Sequence, residues 1–278
     1  MTINNFVLII GAMKCGTTSL FNYLAEHPQI APCKSKEPCF FSKNDNWKKG
    51  FEWYQQLWDW DSSKHKIALE ASTSYTRIPS YLNAAERIAK VNSQFKFIYI
   101  MRDPLERIKS HYIYSKINRF VETQGKTSEE INWRIIEATK YYKQISEYYQ
   151  RFPAEIILLL NFNLLEQNPA YLLREICLFL DIDPEYKFKV SKVHNASKEL
   201  IVSSPLWHFM RKNELLRSGV RRLIPHKQKK MLRTMLGNKF KEKVEFSLSQ
   251  KQSILKELKL DLVKLESHYN FDISDWQI

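Results

Sequence analysis

Three short stretches of the chain hold residues whose types and spacing suit the handling of anions. The first is Gly11-Ala12-Met13-Lys14-Cys15-Gly16-Thr17-Thr18-Ser19, which follows an apolar run and leads into a helical pattern. A strand, a turn with glycine at both ends and a helix start rich in hydroxyls make an anion cradle. Backbone N–H groups converge there and the helix dipole favours negative charge. Lys14, Cys15, Gly16, Thr17, Thr18 and Ser19 are therefore the candidate phosphate ligands. The Gly11-x4-Gly16 spacing is that of a Walker A loop, but the Walker lysine position holds Thr17 and the loop's lysine, Lys14, comes three residues earlier. A lysine at the loop apex argues against γ-phosphate chemistry and suits stabilisation of a bridging oxygen. The plain alternative is a glycine turn with a solvated lysine.

The second stretch is Met101-Arg102-Asp103-Pro104, closing another apolar run, with Ser110 eight residues on. An arginine at a strand's carboxyl end is placed to grip a phosphate through two N–H bonds. A helix opening at Pro104 would bring Ser110 back towards it. Pairing of Arg102 with Asp103 is the alternative. The third stretch, Lys34-Ser35-Lys36-Glu37-Pro38-Cys39-Phe40-Phe41, sets a carboxylate between basic residues and an aromatic pair. Glu37 is a candidate proton acceptor; a surface pair with Lys34 or Lys36 is the other reading. His111 and His194 are rival bases and rank lower.

Elements that would position these residues can be read from periodicity. Strands are predicted at Asn4–Gly11, Lys66–Glu70, Phe95–Met101 and Glu155–Leu160. Helices are predicted at Thr17–Glu26, Tyr81–Ala89, from Pro104 to about Ser115, and at Glu129–Gln150, Ala170–Leu180 and Ser249–Tyr269. Strands alternating with helices predict an α/β fold: a P-loop-like, three-layer arrangement with a central parallel sheet flanked by helices. Ligands in such sheets sit at the carboxyl ends of the strands, where all three stretches fall. With 278 residues and no convincing linker, a single domain spanning 1–278 is expected.

No apolar run approaches the roughly 20 residues of a membrane helix. The start, MTINNFVLII, lacks the basic and small-residue features of a secretory signal, so a cytoplasmic location is expected. Cys15, Cys33, Cys39 and Cys177 show no CxxC spacing, which argues against a zinc site or a disulfide framework. The formal charge is +13, and the segment from Lys187 to Lys243 carries all of it, with 16 Lys plus Arg against 3 acids. The expectation is a basic helical segment at 200–245, on the acceptor side or simply on the surface, and an anionic partner. Few aromatics interleave with its cations, so nucleic acid is not expected. Trp207, Phe209, Met210, Leu215 and Leu216 beside arginines leave peripheral membrane contact through 205–235 open.

GAMKCGTTSLFNYLAEHPQI resembles the 5′-phosphosulfate loop of sulfotransferases that use 3′-phosphoadenosine-5′-phosphosulfate (PAPS), in the branch containing the heparan sulfate and bacterial carbohydrate enzymes. MRDPLERIKSHYIYSK resembles that family's 3′-phosphate motif, which puts Arg102 and Ser110 on the donor. The resemblance gives Lys14 the oxygen bridging phosphate and sulfate. It makes Glu37 the general base, and places Ser197 and Lys198, in KVHNASK, on a loop closing over the donor. LEASTSY is similar to the family's E-K-T/S-P-x-Y segment, with Ala71 where relatives often have a lysine; Glu70 and Ser72 remain candidates to orient donor or acceptor. At the end of the fourth strand the usual acid is replaced by Asn161 or Asn163. The resemblance thus implies sulfuryl transfer from PAPS to a hydroxyl of a glycan, lipid or small metabolite, by in-line displacement and with no metal. A P-loop kinase would explain only the first loop, and a nucleic-acid- or membrane-binding module only the basic segment.

Overall fold

A computed structural model describes residues 2–118, 131–190, 201–202, 238–239 and 244–278. Its centre is a five-stranded sheet of β1 (Asn5–Gly11), β2 (Ile30–Pro32), β3 (Ile67–Ala71), β4 (Gln94–Met101) and β5 (Ile157–Asn161), in the order β2-β3-β1-β4-β5. Every neighbouring pair is parallel, with Phe6 opposite Ala68 and Phe95, and Tyr99 opposite Leu159. FVLII in β1 and FIYIM in β4 are unbroken apolar runs because both faces of these strands are covered. Pro32 lies on the edge strand, where a missing N–H costs least.

Helices flank the sheet: α1 (Thr17–Leu24), α2 (Asn44–Trp47), α3 (Gly50–Gln55), α4 (Ala84–Ala89), α5 (Pro104–Asn118), α6 (Trp133–Glu137), α7 (Tyr141–Tyr149), α8 (Phe162–Gln167), α9 (Pro169–Leu180) and α10 (Leu248–Tyr269). The fold class is as the sequence led us to expect. β2, α2, α3 and α8 are additions.

The single helix expected over Glu129–Gln150 is two helices. The cause lies on another element. The Arg107 guanidinium from α5 donates to the Ile135 carbonyl at 2.8 Å, and the Thr139 hydroxyl donates to it at 2.7 Å. The Thr139 N–H bonds Ile136 instead, one residue short of the α pattern. The chain then turns, and α7 begins with the N–H groups of Tyr142 and Lys143 received by the Asp261 carboxylate of α10 at 3.0 and 2.9 Å. Burial pushes the Asp261 carboxyl up to about 6, against those same two N–H bonds.

Within the basic segment expected to be helical at 200–245, Ile201–Val202 (β6) pairs antiparallel with Asn238–Lys239 (β7). These four residues are strand, not helix, because they exchange backbone bonds across the segment. His194, Ser197, Lys198 and all of 205–235 lie outside the described residues.

Candidate active site

The loop after β1 passes between β3 and β4. A Cβ on Gly11 would stand 2.1 Å from the Thr76 hydroxyl, and one on Gly16 would stand 2.4 Å from the Phe162 ring. Gly16 also has φ +83°, a left-handed conformation natural to glycine. No side chain caps α1, so its first N–H groups are available at the loop's mouth. Cys15 is the exception among the expected ligands. Its side chain is buried against the Tyr141 hydroxyl at 3.7 Å and its N–H is spent on the Ala12 carbonyl at 3.1 Å, so it serves the loop's interior. Thr17 is buried too, while Thr18 is exposed and Ser19 half-buried.

Lys14 sits at the apex with φ 74°. Its ammonium lies 4.7 Å from the centre of the Tyr114 ring. Burial pulls its pKa below the ordinary lysine value, and the Arg107, Arg102 and Lys36 cations push the same way. Arg102 packs over Phe162 at 5.0 Å, the ring that also covers Gly16, so the two anion motifs share one wall. Its carboxylate partner is Glu106, at 3.5 Å, and not Asp103. Asp103 instead caps α5 by accepting from Glu106 N–H at 2.9 Å, and holds the tail through Gln277 N–H at 2.6 Å. Pro104 at the first helical position completes that start.

Arg107, Ser110 and Tyr114 recur at three- and four-residue steps, which places them on one face of α5. Arg107 donates to the Met13 carbonyl at 3.1 Å and Tyr114 lies beneath Lys14, so this is the face turned to the loop. Ser110, half-buried between them, is where a second phosphate contact was expected. Arg107 was not singled out from the sequence. It is fully buried, and among the described residues no carboxylate pairs with it. The 107–110 spacing could have flagged it. The rival base His111 is 1% exposed, too deep to meet an acceptor. Burial holds its imidazole well below the ordinary range, helped by Arg107, Arg77 and Lys14.

Glu37 lies on the turn between β2 and α2, with φ 60°. Its Oε1 accepts from Thr73 at 3.3 Å and from Lys36 at 3.2 Å. Oε2 has no hydrogen-bond partner among the described residues, and the side chain is 41% exposed. Lys36 ties the turn to the field of Lys14. Glu70 and Ser72 stand elsewhere than expected. They are 0% and 1% exposed, and both are spent on internal bonds, so neither reaches donor or acceptor. Ala71, in the family's lysine position, is buried and accepts the Glu37 N–H at 2.9 Å. At the end of β5, Asn161 and Asn163 hold the Asp275 carboxylate of the tail at 3.0 and 2.7 Å.

A parallel sheet with a cation-lined glycine loop at the carboxyl end of its first strand is suited to holding a phosphorylated ligand. A sequence model of the sulfotransferase domain matches residues 5–260, and the chain belongs to that family. Heparan sulfate glucosamine 3-O-sulfotransferase 5 of Mus musculus is 27% identical over 64% of this chain and 53% of its own length. Membrane-associated sulfotransferase kil1 of Dictyostelium discoideum is 39% identical over 40% of this chain and 23% of its own. The chain thus spans about half the length, or less, of these curated relatives. In fold it is similar to a sulfotransferase from Alicyclobacillus acidocaldarius, with a TM-score of 0.68, 19% identity and 100% of both chains covered.

Proposed function

We propose that the chain transfers the sulfuryl group of PAPS to a hydroxyl. The observation that carries this reading is the placement of Lys14, over the Tyr114 ring, and Arg102, over the Phe162 ring that covers Gly16, about one loop, with Glu37 Oε2 on the 37–41 turn unpartnered among the described residues. The donor supplies a sulfuryl group on a phosphate oxygen, and the chain's residues surround it with positive charge. Lys14 and the N–H groups at the start of α1 neutralise the oxygen that leaves. Arg102 and Ser110 hold the 3′-phosphate. Glu37 Oε2 takes the acceptor proton as the new S–O bond forms and the old one breaks. Positioning and charge account for most of the rate in such in-line displacements.

The relatives named for heparan sulfate support a glycan acceptor, and an anionic one would suit the basic 187–243 segment. All four cysteines are free and buried, which supports a reducing, cytoplasmic setting as part of the same proposal. Among the described residues no helix is long and apolar enough to cross a membrane.

Calorimetric titration with 3′,5′-diphosphoadenosine, and separately with ATP plus Mg²⁺, tests the donor. Tight metal-independent binding of the diphosphate, with weak ATP binding, is the expected result. The opposite preference would return the chain to the kinase reading, despite Thr17 standing where a kinase loop needs lysine.

A further inference from the structure

The turn that carries Glu37 is fastened to the end of β3 at alternate residues. Glu37 N–H donates to the Ala71 carbonyl at 2.9 Å, Cys39 N–H to Ser72 Oγ at 3.0 Å, and Phe41 N–H to the Tyr75 hydroxyl at 3.3 Å. Glu37 and Cys39 both adopt positive φ, 60° and 53°, which side-chain-bearing residues hold only when their surroundings enforce it. Two of the three fastenings end on hydroxyls, and a hydroxyl that accepts from a backbone N–H must itself be held in orientation. Glu70 holds the first of these. Ser72 Oγ donates to its Oε1 at 2.5 Å, and Tyr54 donates to its Oε2. Glu70, Ser72, Tyr54 and Tyr75 are all 0–2% exposed, so water cannot substitute for any of these contacts.

We propose that Glu70 is a positioning residue: acting through Ser72, it fixes the 37–41 turn and aims the Glu37 carboxylate at the mouth of the phosphate loop. The effect on chemistry rests on the reading of Glu37 as the base; the effect on the turn does not. The groups facing Glu70 are the Tyr54, Tyr75 and Tyr148 phenols, the Cys33 thiol and the Glu37 carboxylate. Its local role is therefore to collect hydroxyl donors. In Glu70→Gln an amide N–H₂ replaces one accepting oxygen, leaving Tyr54 or Ser72 facing a donor. Ser72→Ala removes the Cys39 fastening while keeping Glu70 in place, and Ser72→Thr keeps a hydroxyl.

Hydrogen exchange of the 37–41 amides, read by peptide mass spectrometry, measures the turn directly. Turnover is followed in parallel as release of 3′,5′-diphosphoadenosine from PAPS with water as acceptor. Glu70→Gln and Ser72→Ala should each speed exchange at 37–41 by about tenfold, the scale of one buried hydrogen bond, with Ser72→Thr restoring protection. Both should slow turnover while diphosphate affinity stays within about twofold, and neither should slow it further in a Glu37→Gln background. Unchanged protection at 37–41 in Glu70→Gln, or a loss spread evenly over the whole sheet, would overturn the positioning role. If Glu37→Gln keeps full turnover while Glu70→Gln still loosens the turn, the positioning stands and the base assignment falls.

Discussion

At Glu70, burial and hydrogen bonding pull in opposite directions. The Ser72 and Tyr54 hydroxyls donate to its carboxyl, which favours the ionised form, yet its buried position on β3 strips it of water. Burial is the larger effect, and the pKa rises from 4.5 to about 7. The consequence for stability has a definite sign. Below about pH 4.5 the group is protonated both folded and unfolded, and its contribution is fully present. As pH rises towards 7 the unfolded chain releases the proton while the folded chain keeps it, so stability is lost. The loss is of the order of 3 kcal/mol if the whole shift is realised. Urea titrations of wild type and Glu70→Gln at fixed ionic strength, from pH 4.5 to 8, should show the wild-type advantage shrinking by about that amount. A constant difference would mean that Glu70 does not ionise differently in the folded chain.

At the scale of elements, the loop after β1 depends on what its neighbours leave room for. Gly16 turns left-handed against the Phe162 ring at the start of α8, and Arg102 at the end of β4 lies over that same ring. Gly16→Ala forces a Cβ into the ring and strains a φ of +83°. Loop and arginine should be displaced together, so diphosphate affinity measured calorimetrically should fall by about tenfold or more, the equivalent of one lost charge-assisted contact. An unchanged affinity would uncouple the two anion motifs. These motifs were legible in the sequence because each is local: a turn needing glycine, a strand end, a helix start with Asp103 and Pro104. The features that escaped notice depend on distant partners. The break between α6 and α7 is set by Arg107, 28 residues before Ile135. The burial of Glu70 is set by Tyr54 on a helix that periodicity did not reveal, and the turn it supports is fastened at Cys39, 33 residues before Ser72. For the same reason Glu70 and Ser72 read as substrate contacts in the sequence, where only their place at a strand end is visible.

For the whole molecule, the distribution of charge separates two tasks. The formal charge of +13 equals that of the Lys187–Lys243 segment, so the rest of the chain balances to zero. The proposed donor site draws on two partly buried cations, Lys14 and Arg102, whose pull on a phosphate is little screened by salt. An extended anionic acceptor would instead meet many cations of the basic segment at once. If those cations lie at the surface, mobile ions compete for every contact. The two affinities should therefore answer salt differently. Raising NaCl from about 50 to 200 mM shortens the Debye length from roughly 14 to 7 Å. Over that range the binding of a heparan sulfate oligosaccharide should weaken by about tenfold or more, while diphosphate binding changes much less. Replacing Arg221 and Arg222 with glutamine should flatten the oligosaccharide's salt response and leave the diphosphate's alone. Parallel salt responses for the two ligands would mean that the basic segment does not read the acceptor, and that acceptor choice rests on the uncharged surroundings of Glu37.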